Sequence, residues 1–307
     1  MKILKCLTAI FLALTTVSSL SAKTLDDQFI FSTVFITNES AQRQGTGFLV
    51  IRQVQEKKYL WCLVSNKHIL LPAPIKPAET NRLAKGKISI NAIRDGKVEK
   101  EEIKVILRDA AGNSFVKGHP NPSVDVAAIN ITFYLKPFLD DPNTSLFGIV
   151  EELFATRDFI RNSFVSVGDP ALIVGYPLSL VEEGHVVPIS RNARLATKPD
   201  YDFKNQPIFL VDSTVVRGSS GSPVVLPIQP YVWTEKHKIN IGLIQENHLI
   251  GIVSGAIKDW EMIIRKSVSF EKTQVFSVID SSNLGIVFKA ETISETIDEF
   301  GHHRWAE

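Results

Sequence analysis

The sequence has few cysteines, no apolar run long enough for a comfortable membrane span, and no excess of either charge. Its 307 residues include two cysteines, Cys6 and Cys62, which are too few for a disulfide-stapled scaffold. Lys and Arg number 34 and Asp and Glu 33, so the net charge of +1 gives no reason to expect a nucleic-acid partner. Charged residues at 22% and hydrophobic residues at 44% are ordinary for a globular protein and exclude a disordered chain.

The first 22 residues have the layout of a secretory signal peptide. Lys2 and Lys5 form a positively charged start, residues 6–17 are mostly apolar, and small residues follow up to Ala22. This run is shorter than the roughly 20 residues of a membrane span, so an uncleaved anchor is the less favoured alternative. We therefore predict an exported protein, periplasmic or secreted, with no stable membrane span after cleavage. The mature chain then has a net charge of +1 − 2 = −1 and keeps Cys62 alone, a thiol that we expect to be buried and inert.

The rest of the chain is dominated by short β-branched and aromatic runs. Runs typical of strands lie at 29–37, 47–51, 59–65, 87–91, 103–107, 124–133, 164–167, 171–174, 208–211, 224–228, 239–244, 249–257, 275–279 and 284–288. Asp95-Gly96 predicts a hairpin turn between two of them. Strands at this spacing, without regular alternation with helices, indicate an antiparallel barrel or sandwich rather than a Rossmann or TIM fold. Helical patterns are limited to residues 145–160, which could form a connector, and residues 292–300, a short terminal helix.

The segment that points to chemistry is Asp212–Val225, with the sequence DSTVVRGSSGSPVV. A serine between glycines on an irregular turn can expose its hydroxyl while neighbouring backbone N–H groups point into one pocket. Acyl transfer needs that arrangement, with Ser220 as nucleophile and the amides of Gly218 and Ser220 as oxyanion donors. Such a serine needs a base that is oriented by a third group. His68, which follows an apolar run, and Asp125, which precedes one, are the candidates for these two roles.

These assignments have two alternatives. Other aspartates lie between His68 and Ser220, and the strand pattern that follows Asp125 favours it over Asp95, Asp109, Asp140 and Asp141. The nucleophile elbow of an α/β-hydrolase would need glycine where Ser222 stands, and a helix after the serine. Residues 223–227 have a strand pattern instead, so the hydrolase fold is not favoured.

The remaining motif matches do not indicate a second chemistry. The S-x-x-K pattern occurs at Ser114–Lys117 and Ser269–Lys272, but without the companion motifs that would give it meaning. The acidic and histidine residues Glu182, Glu183, His185, His302 and His303 lack the spacing of metal ligands. We therefore expect neither a metal nor an organic cofactor.

Seven short motifs follow one another along the mature chain: Gly45–Val50, Leu63–Leu70, Asp125–Ile129, Gly168–Pro177, Gly218–Pro223, Gly251–Gly255 and Asn283–Phe288. In this order they resemble the trypsin/chymotrypsin-like serine protease family, and more closely its bacterial exported Deg-type branch. The resemblance covers most of the mature chain. It implies an all-β fold of two antiparallel six-stranded β-barrels (chymotrypsin-like) with a short C-terminal helix. The barrels would lie at about residues 25–145 and 160–290 and the helix at about 291–300, with no appended PDZ domain.

The resemblance also implies roles for individual residues. His68 would be the general base, Asp125 its orienting carboxylate and Ser220 the acylated nucleophile, with the Ser254 hydroxyl supporting the carboxylate. The primary specificity pocket would be formed by Thr214 at its base and by Ser254, Gly255 and Ala256 along one wall. A neutral base offers no partner to a Lys or Arg side chain, so we expect cleavage after small or medium apolar residues.

Together these patterns predict an exported serine endopeptidase that acts on protein or peptide substrates through a Ser-His-Asp triad. The alternative is a protease-like binding or scaffold module that is catalytically silent. Two residues depart from the family pattern. Ser222 replaces the commoner glycine of the nucleophile motif, and Lys67 precedes His68 where small residues are frequent.

Overall fold

A computed structural model describes residues 25–72, 83–182, 185–233, 239–244, 246–266 and 273–301. The predicted signal peptide with Cys6 lies outside the described residues, as do Glu183, Ser269–Lys272 and His302-His303. The strands are β1 (Thr33–Asn38), β2 (Arg43–Gln55), β3 (Lys58–Ser65), β4 (Ala84–Arg94), β5 (Lys97–Arg108), β6 (Val116–Gly118), β7 (Ala127–Asn130), β8 (Thr144–Ser145), β9 (Ile149–Val150), β10 (Pro170–Gly175), β11 (Ile189–Leu195), β12 (Ile208–Asp212), β13 (Pro223–Leu226), β14 (Gln229–Trp233), β15 (Ile239–Ile244), β16 (His248–Lys266) and β17 (Thr273–Lys289). The helices are α1 (Asp27–Phe31), α2 (Lys67–Leu70), α3 (Thr132–Leu139), α4 (Arg157–Asn162) and α5 (Glu291–Asp298).

The first nine strands form one sheet in the order β5-β4-β1-β2-β3-β7-β6, with β8 paired to β4 and β9 to β2. A single antiparallel bridge between Arg108 and Ser114 links the two ends of this order, so the sheet curls toward a barrel. The predicted turn at Asp95-Gly96 joins β4 to β5, and both residues have the positive φ (49° and 74°) of a tight hairpin turn. The inward faces of these strands form an apolar core that includes Leu63, Ile88 and Ile129.

The second half of the chain closes into a six-stranded barrel in the order β10-β11-β12-β17-β16-β13. Its interior is a separate apolar cluster that includes Phe209, Val224 and Val253. The strands β14 and β15 pair with each other as a two-stranded sheet outside this barrel. The predicted all-β fold with a short C-terminal helix is confirmed. In place of two six-stranded barrels, it has one closed six-stranded barrel and one half-barrel sheet of nine strands.

The two halves share a third apolar cluster, to which the C-terminal helix contributes. It includes Phe48 of β2, Val174 of β10 and Ile293 of α5. Arg52 of β2 adds a polar link to the helix, with its guanidinium 2.5 Å from the Asp298 carboxylate. The helix therefore fastens the first sheet to the barrel from which it emerges.

Four local predictions were wrong. The run 164–167 is not a strand, because the chain turns there after α4, with Phe164 at a positive φ of 56°. The run 124–133 is a strand only over β7; the Asn130 side chain accepts from the Thr132 amide at 3.0 Å in a turn that leads into α3. Residues 145–160 are not one helix but contain β9, a 3₁₀ turn at Glu151–Leu153 and the start of α4. The run 29–37 begins as α1 and becomes a strand only at Thr33.

None of the helices in the described part of the chain has the length and apolarity to cross a membrane. Cys62 is fully buried in β3, and this burial raises the pKa of its thiol to about 12. The thiol is therefore protonated at neutral pH and is a poor nucleophile, because only the thiolate form attacks readily.

Candidate active site

His68 lies in the one-turn helix α2, directly after β3. Asn66 stays extended (φ −80°, ψ 152°) between the strand and the helix. Its side-chain amide donates to the Asp125 carbonyl at 2.8 Å, which joins the segment of the predicted base to the segment of the predicted carboxylate. The Asn38 side-chain amide donates to carbonyl groups at the end of the helix at 2.9, 3.3 and 3.0 Å. The start of this short helix is therefore fixed through its own Asn66 and the end through Asn38 of β1.

The Asp125 carboxylate is held by three hydrogen bonds. His68 Nδ1 lies 2.6 Å from Asp125 Oδ2, the Ser254 hydroxyl donates to the same oxygen at 2.7 Å, and the His68 backbone N–H donates to Oδ1 at 3.1 Å. Burial by itself would raise the pKa of Asp125, but the hydrogen bonds from His68 and Ser254 outweigh it and the pKa is lowered. Since an ionised carboxylate only accepts hydrogen bonds, the neutral His68 ring carries its proton on Nδ1. The lone pair of Nε2 is then available to accept a proton.

Ser220 is connected to the same network through Ser254. The Ser220 hydroxyl donates to the Ser254 carbonyl oxygen at 3.1 Å, while the Ser254 hydroxyl faces Asp125. The structure thus brings together His68, Asp125, Ser220 and Ser254. Transfer of the Ser220 proton to His68 requires the serine side chain to rotate away from the Ser254 carbonyl. Such adjustment is common, because catalytic hydrogen bonds often tighten only when substrate is bound.

The backbone around Ser220 contains two peptide groups that are anchored at both ends. The Gly218 carbonyl accepts from the Thr46 hydroxyl at 2.7 Å, and the Ser220 carbonyl accepts from the Thr46 amide at 2.9 Å. At the opposite ends of these peptide groups, the amides of Ser219 and Gly221 donate to protein carbonyls at 3.1 and 2.8 Å. These two peptide groups therefore have fixed orientations.

The two peptide groups that alternate with them are anchored through their carbonyls. The Arg217 carbonyl accepts from the Leu178 amide at 2.6 Å, and the Ser219 carbonyl accepts from the amide three residues further on at 3.1 Å. In a trans peptide the N–H points away from the C=O, so the Gly218 and Ser220 amides point away from these contacts. Neither amide has an acceptor within the described part of the chain, and both can donate to a ligand oxygen.

This loop shape depends on two glycines. Gly218 and Gly221 both have φ of +85°, a conformation that disfavours other residues. A Cβ at Gly218 would overlap the Tyr176 carbonyl oxygen, and a Cβ at Gly221 would overlap the Thr46 carbonyl oxygen. The glycines of the predicted nucleophile motif are thus required both by the backbone conformation and by close approach of other backbone.

The structure explains both departures from the family pattern. The Lys67 side chain extends over Gly118 to donate to the Asn121 carbonyl at 2.9 Å, so it tethers the loop before Asp125. Ser222 is fully buried, and its hydroxyl has no partner among the described residues. Its oxygen packs directly against Gly175, where a Cβ would overlap it. Ser222 therefore fits because residue 175 has no side chain.

The predicted specificity residues lie on two segments that meet through β17. The Thr214 hydroxyl donates to Asn283 Oδ1 at 2.8 Å, and the Thr214 carbonyl accepts from the Arg191 guanidinium at 2.6 Å. Residues 254–256 lie on β16, which pairs with β17. A Cβ added at Gly255 would meet no atom within 4 Å, so this predicted wall faces open space.

Thr46 is the contributor that reasoning from the sequence did not single out. It is fully buried in β2 and contacts the loop of residues 217–222, the nucleophile loop, through both its amide and its hydroxyl. The signal in the sequence was its place between Gly45 and Gly47 in the first of the seven motifs. A Cβ at either glycine would lie under 3.0 Å from neighbouring atoms, so the strand approaches its neighbours closely there.

Within the described residues of the suggested acidic and histidine group, His185 Nε2 lies 3.1 Å from a Glu182 carboxylate oxygen, and both side chains are exposed. Across the described ranges no three His, Cys, Asp or Glu side chains lie close enough to hold a metal ion.

Comparisons with known proteins add little to this geometry. No protein-family model matches the chain, and no curated protein matches it either. Among solved structures, one titled "Atomic resolution structure of HBP" matches with a TM-score of 0.44 and 9% identity, over 90% of this chain and 94% of that chain. A match this distant does not bear on function.

Proposed function

We propose that this chain is an exported serine endopeptidase of the trypsin/chymotrypsin-like family, of the Deg type. The observation that carries the proposal is that hydrogen bonds link His68 to Asp125 and Asp125 to the Ser254 hydroxyl, while the Ser220 hydroxyl donates to the backbone carbonyl of the same Ser254. These residues lie next to two backbone amides, those of Gly218 and Ser220, that have no acceptor among the described residues. A nucleophile, an oriented base and a pair of oxyanion donors are the parts that acyl transfer requires.

In the acylation step, the Ser220 hydroxyl rotates toward His68 and its oxygen attacks the carbonyl carbon of the scissile peptide bond. His68 Nε2 takes the hydroxyl proton, and the ionised Asp125 stabilises the imidazolium that results. The negative charge on the former carbonyl oxygen is stabilised by the amides of Gly218 and Ser220. When the C–N bond breaks, His68 returns its proton to the leaving amine and an ester on Ser220 remains.

Deacylation repeats these steps with water. His68 Nε2 removes a proton from a water molecule whose oxygen attacks the ester carbonyl, and the same two amides stabilise the second oxyanion. Collapse of this intermediate breaks the bond to Ser220 Oγ, which recovers its proton from His68. The products are a free carboxylic acid and the starting enzyme, so no external reductant or oxidant is consumed.

The surroundings of Thr214 support cleavage after small or medium apolar residues. Its hydroxyl and its carbonyl already have partners, in Asn283 and Arg191, and neither brings a negative charge to the base of the proposed pocket. The Arg191 guanidinium would repel a Lys or Arg side chain. The open space next to Gly255 leaves room for a side chain of moderate size.

The proposal is tested by turnover of a peptide mixture with the purified mature protein. Ser220→Ala and His68→Ala should each lower turnover by about 10⁴–10⁶-fold while far-UV circular dichroism stays unchanged. Lys136→Ala, which removes an exposed ion pair with Asp140, is a control that should leave turnover unaltered. Proteolysis retained in Ser220→Ala would end the assignment.

The competing interpretation is a catalytically silent module that uses the same fold to bind proteins. It predicts that the folded wild type has no turnover that Ser220→Ala removes.

Export is a separate part of the proposal. The intact mass of the protein recovered from outside the cytoplasm should correspond to a chain that lacks the residues up to about Ala22. A mass that includes Met1 would contradict the predicted leader.

A further inference from the structure

Thr46 of β2 contacts the nucleophile loop through two hydrogen-bonding groups, its amide and its hydroxyl. Its amide donates to the Ser220 carbonyl at 2.9 Å and its hydroxyl to the Gly218 carbonyl at 2.7 Å. The same hydroxyl oxygen accepts from the Tyr176 amide at 3.0 Å, and the Thr46 carbonyl accepts from the Ser65 hydroxyl at 2.6 Å. The side chain is fully buried, so water does not compete for these bonds.

The hydroxyl of Thr46 touches both segments that set the orientation of the Gly218 amide. One is the nucleophile loop itself, through the Gly218 carbonyl. The other is the turn after β10, which begins at Tyr176 and supplies the Leu178 amide that holds the Arg217 carbonyl at 2.6 Å. The peptide group between Arg217 and Gly218 contains the Gly218 N–H, so its direction depends on that turn.

The turn after β10 needs such an anchor because its backbone is strained. Leu178 and Ser179 both have φ of 57°, the left-handed region that non-glycine residues rarely occupy. Two consecutive residues in that conformation persist only where surrounding contacts hold them. The hydrogen bond from the Tyr176 amide to Thr46 is such a contact at the start of the turn.

We propose that Thr46 is a positioning residue for catalysis, whose buried hydroxyl fixes the nucleophile loop and the turn after β10 against each other so that the Gly218 and Ser220 amides face the substrate oxygen. This inference rests on the proposed function and assigns a role to a residue outside the triad. The hydroxyl itself touches no reacting atom. Its effect is to keep two donors in place before the oxyanion forms, which avoids reorganisation during the reaction.

The test is the rate at which a fluorophosphonate probe labels the folded protein, measured over a range of probe concentrations. In labelling, His68 takes the Ser220 hydroxyl proton, a bond forms from Ser220 Oγ to phosphorus and fluoride leaves. The negative charge that develops on the phosphoryl oxygen in the transition state is stabilised by the two amides. Thr46→Val keeps the shape of the side chain but can neither donate to Gly218 nor accept from Tyr176. We expect its maximal labelling rate to fall by about ten- to hundred-fold with little change in the half-saturating concentration. Thr46→Ser restores the hydroxyl and should recover most of the rate.

Thr296→Val is the matched control. Thr296 is also fully buried, and its hydroxyl donates to a backbone carbonyl, that of Thr292, at 2.7 Å. Thr296 lies in α5 and makes no hydrogen bond with residues 217–222, so removal of its hydroxyl should leave labelling at the wild-type rate. If Thr46→Val fails to fold, Thr46→Cys, with its weaker donor, replaces it in the comparison with Thr46→Ser.

The outcomes separate this inference from the proposed function. A wild type that is labelled at Ser220, together with a folded Thr46→Val that is labelled equally fast, would overturn the role of Thr46 and leave the proposed function intact. A rate that falls equally in Thr46→Val and Thr46→Ser would also overturn it, because the hydroxyl would then not be the cause. A folded wild type that is not labelled at all would refute both.

Discussion

Because Gly175 and Ser222 are in close contact, a mutation of Ser222 should offset part of the stability lost when a side chain is added at Gly175. A Cβ at Gly175 would lie closer than 3.0 Å to Ser222 Oγ and 2.8 Å from Thr46 Oγ1, deep between the two halves of the protein. Overpacking of this kind costs about 1–3 kcal/mol. At roughly 2–4 °C per kcal/mol for a domain of this size class, Gly175→Ala should lower the melting temperature by roughly 2–12 °C.

The partner mutation removes the worst contact. Ser222→Ala deletes the overlapping oxygen and also a buried hydroxyl that has no partner among the described residues, a group that itself costs about 1–3 kcal/mol. By itself it should leave stability unchanged or higher. In this background Gly175→Ala should cost at least about 1 kcal/mol less than in the wild type, a coupling typical of residues in contact.

The assay is a thermodynamic cycle of four proteins, namely the wild type, the two single variants and the double variant, unfolded in urea and by heat under identical conditions. Partial recovery is expected, because the contacts of the new Cβ with Thr46 and with the Cβ of residue 222 remain. If Gly175→Ala costs the same in both backgrounds, the described packing beneath the nucleophile loop is wrong.

Three further predictions concern the site. Because the pKa of Asp125 is lowered in the folded state, its ionised form stabilises the fold above the ordinary aspartate pKa, and this contribution is lost as pH falls through the folded pKa. The free energy of unfolding in urea should therefore fall more steeply between about pH 6 and about pH 3 in the wild type than in Asp125→Asn. Equal slopes would contradict this role of Asp125. Gly218→Ala cannot keep φ of +85° without strain, and we expect turnover to fall by about 10²–10³-fold, whereas an active variant would show that its amide is not needed. A peptide library should give cleavage after small or medium apolar residues, and a profile dominated by Lys or Arg would refute the role given to Thr214.

Most of the fold followed from local patterns, since strands of alternating or continuous apolar residues are recognisable one by one. The hairpin at Asp95-Gly96 was predictable because its turn needs residues that tolerate positive φ. The errors arose where an apolar run passes from one element to another. The Asn130 side chain accepts from the Thr132 amide in the turn between β7 and α3, a local contact that periodicity does not register.

The residues of the candidate site could be predicted for a different reason. His68, Asp125, Ser220 and Ser254 were predicted through a resemblance in the order of motifs, and the fold does bring the four together. Thr46 was not found, because a buried threonine in a strand looks like any other core residue until its neighbours are known. Its neighbours come from residues 130 and 172 positions further along the chain, and only tertiary structure supplies them.

The most direct test of the central claim is to identify the residue that a fluorophosphonate probe modifies in the folded wild type. The claim predicts a single adduct, located by mass spectrometry on the peptide that contains Ser220, and its absence from Ser220→Ala and from protein unfolded in urea. It is contradicted if the folded wild type acquires no adduct, or if Ser220→Ala is labelled as readily as the wild type.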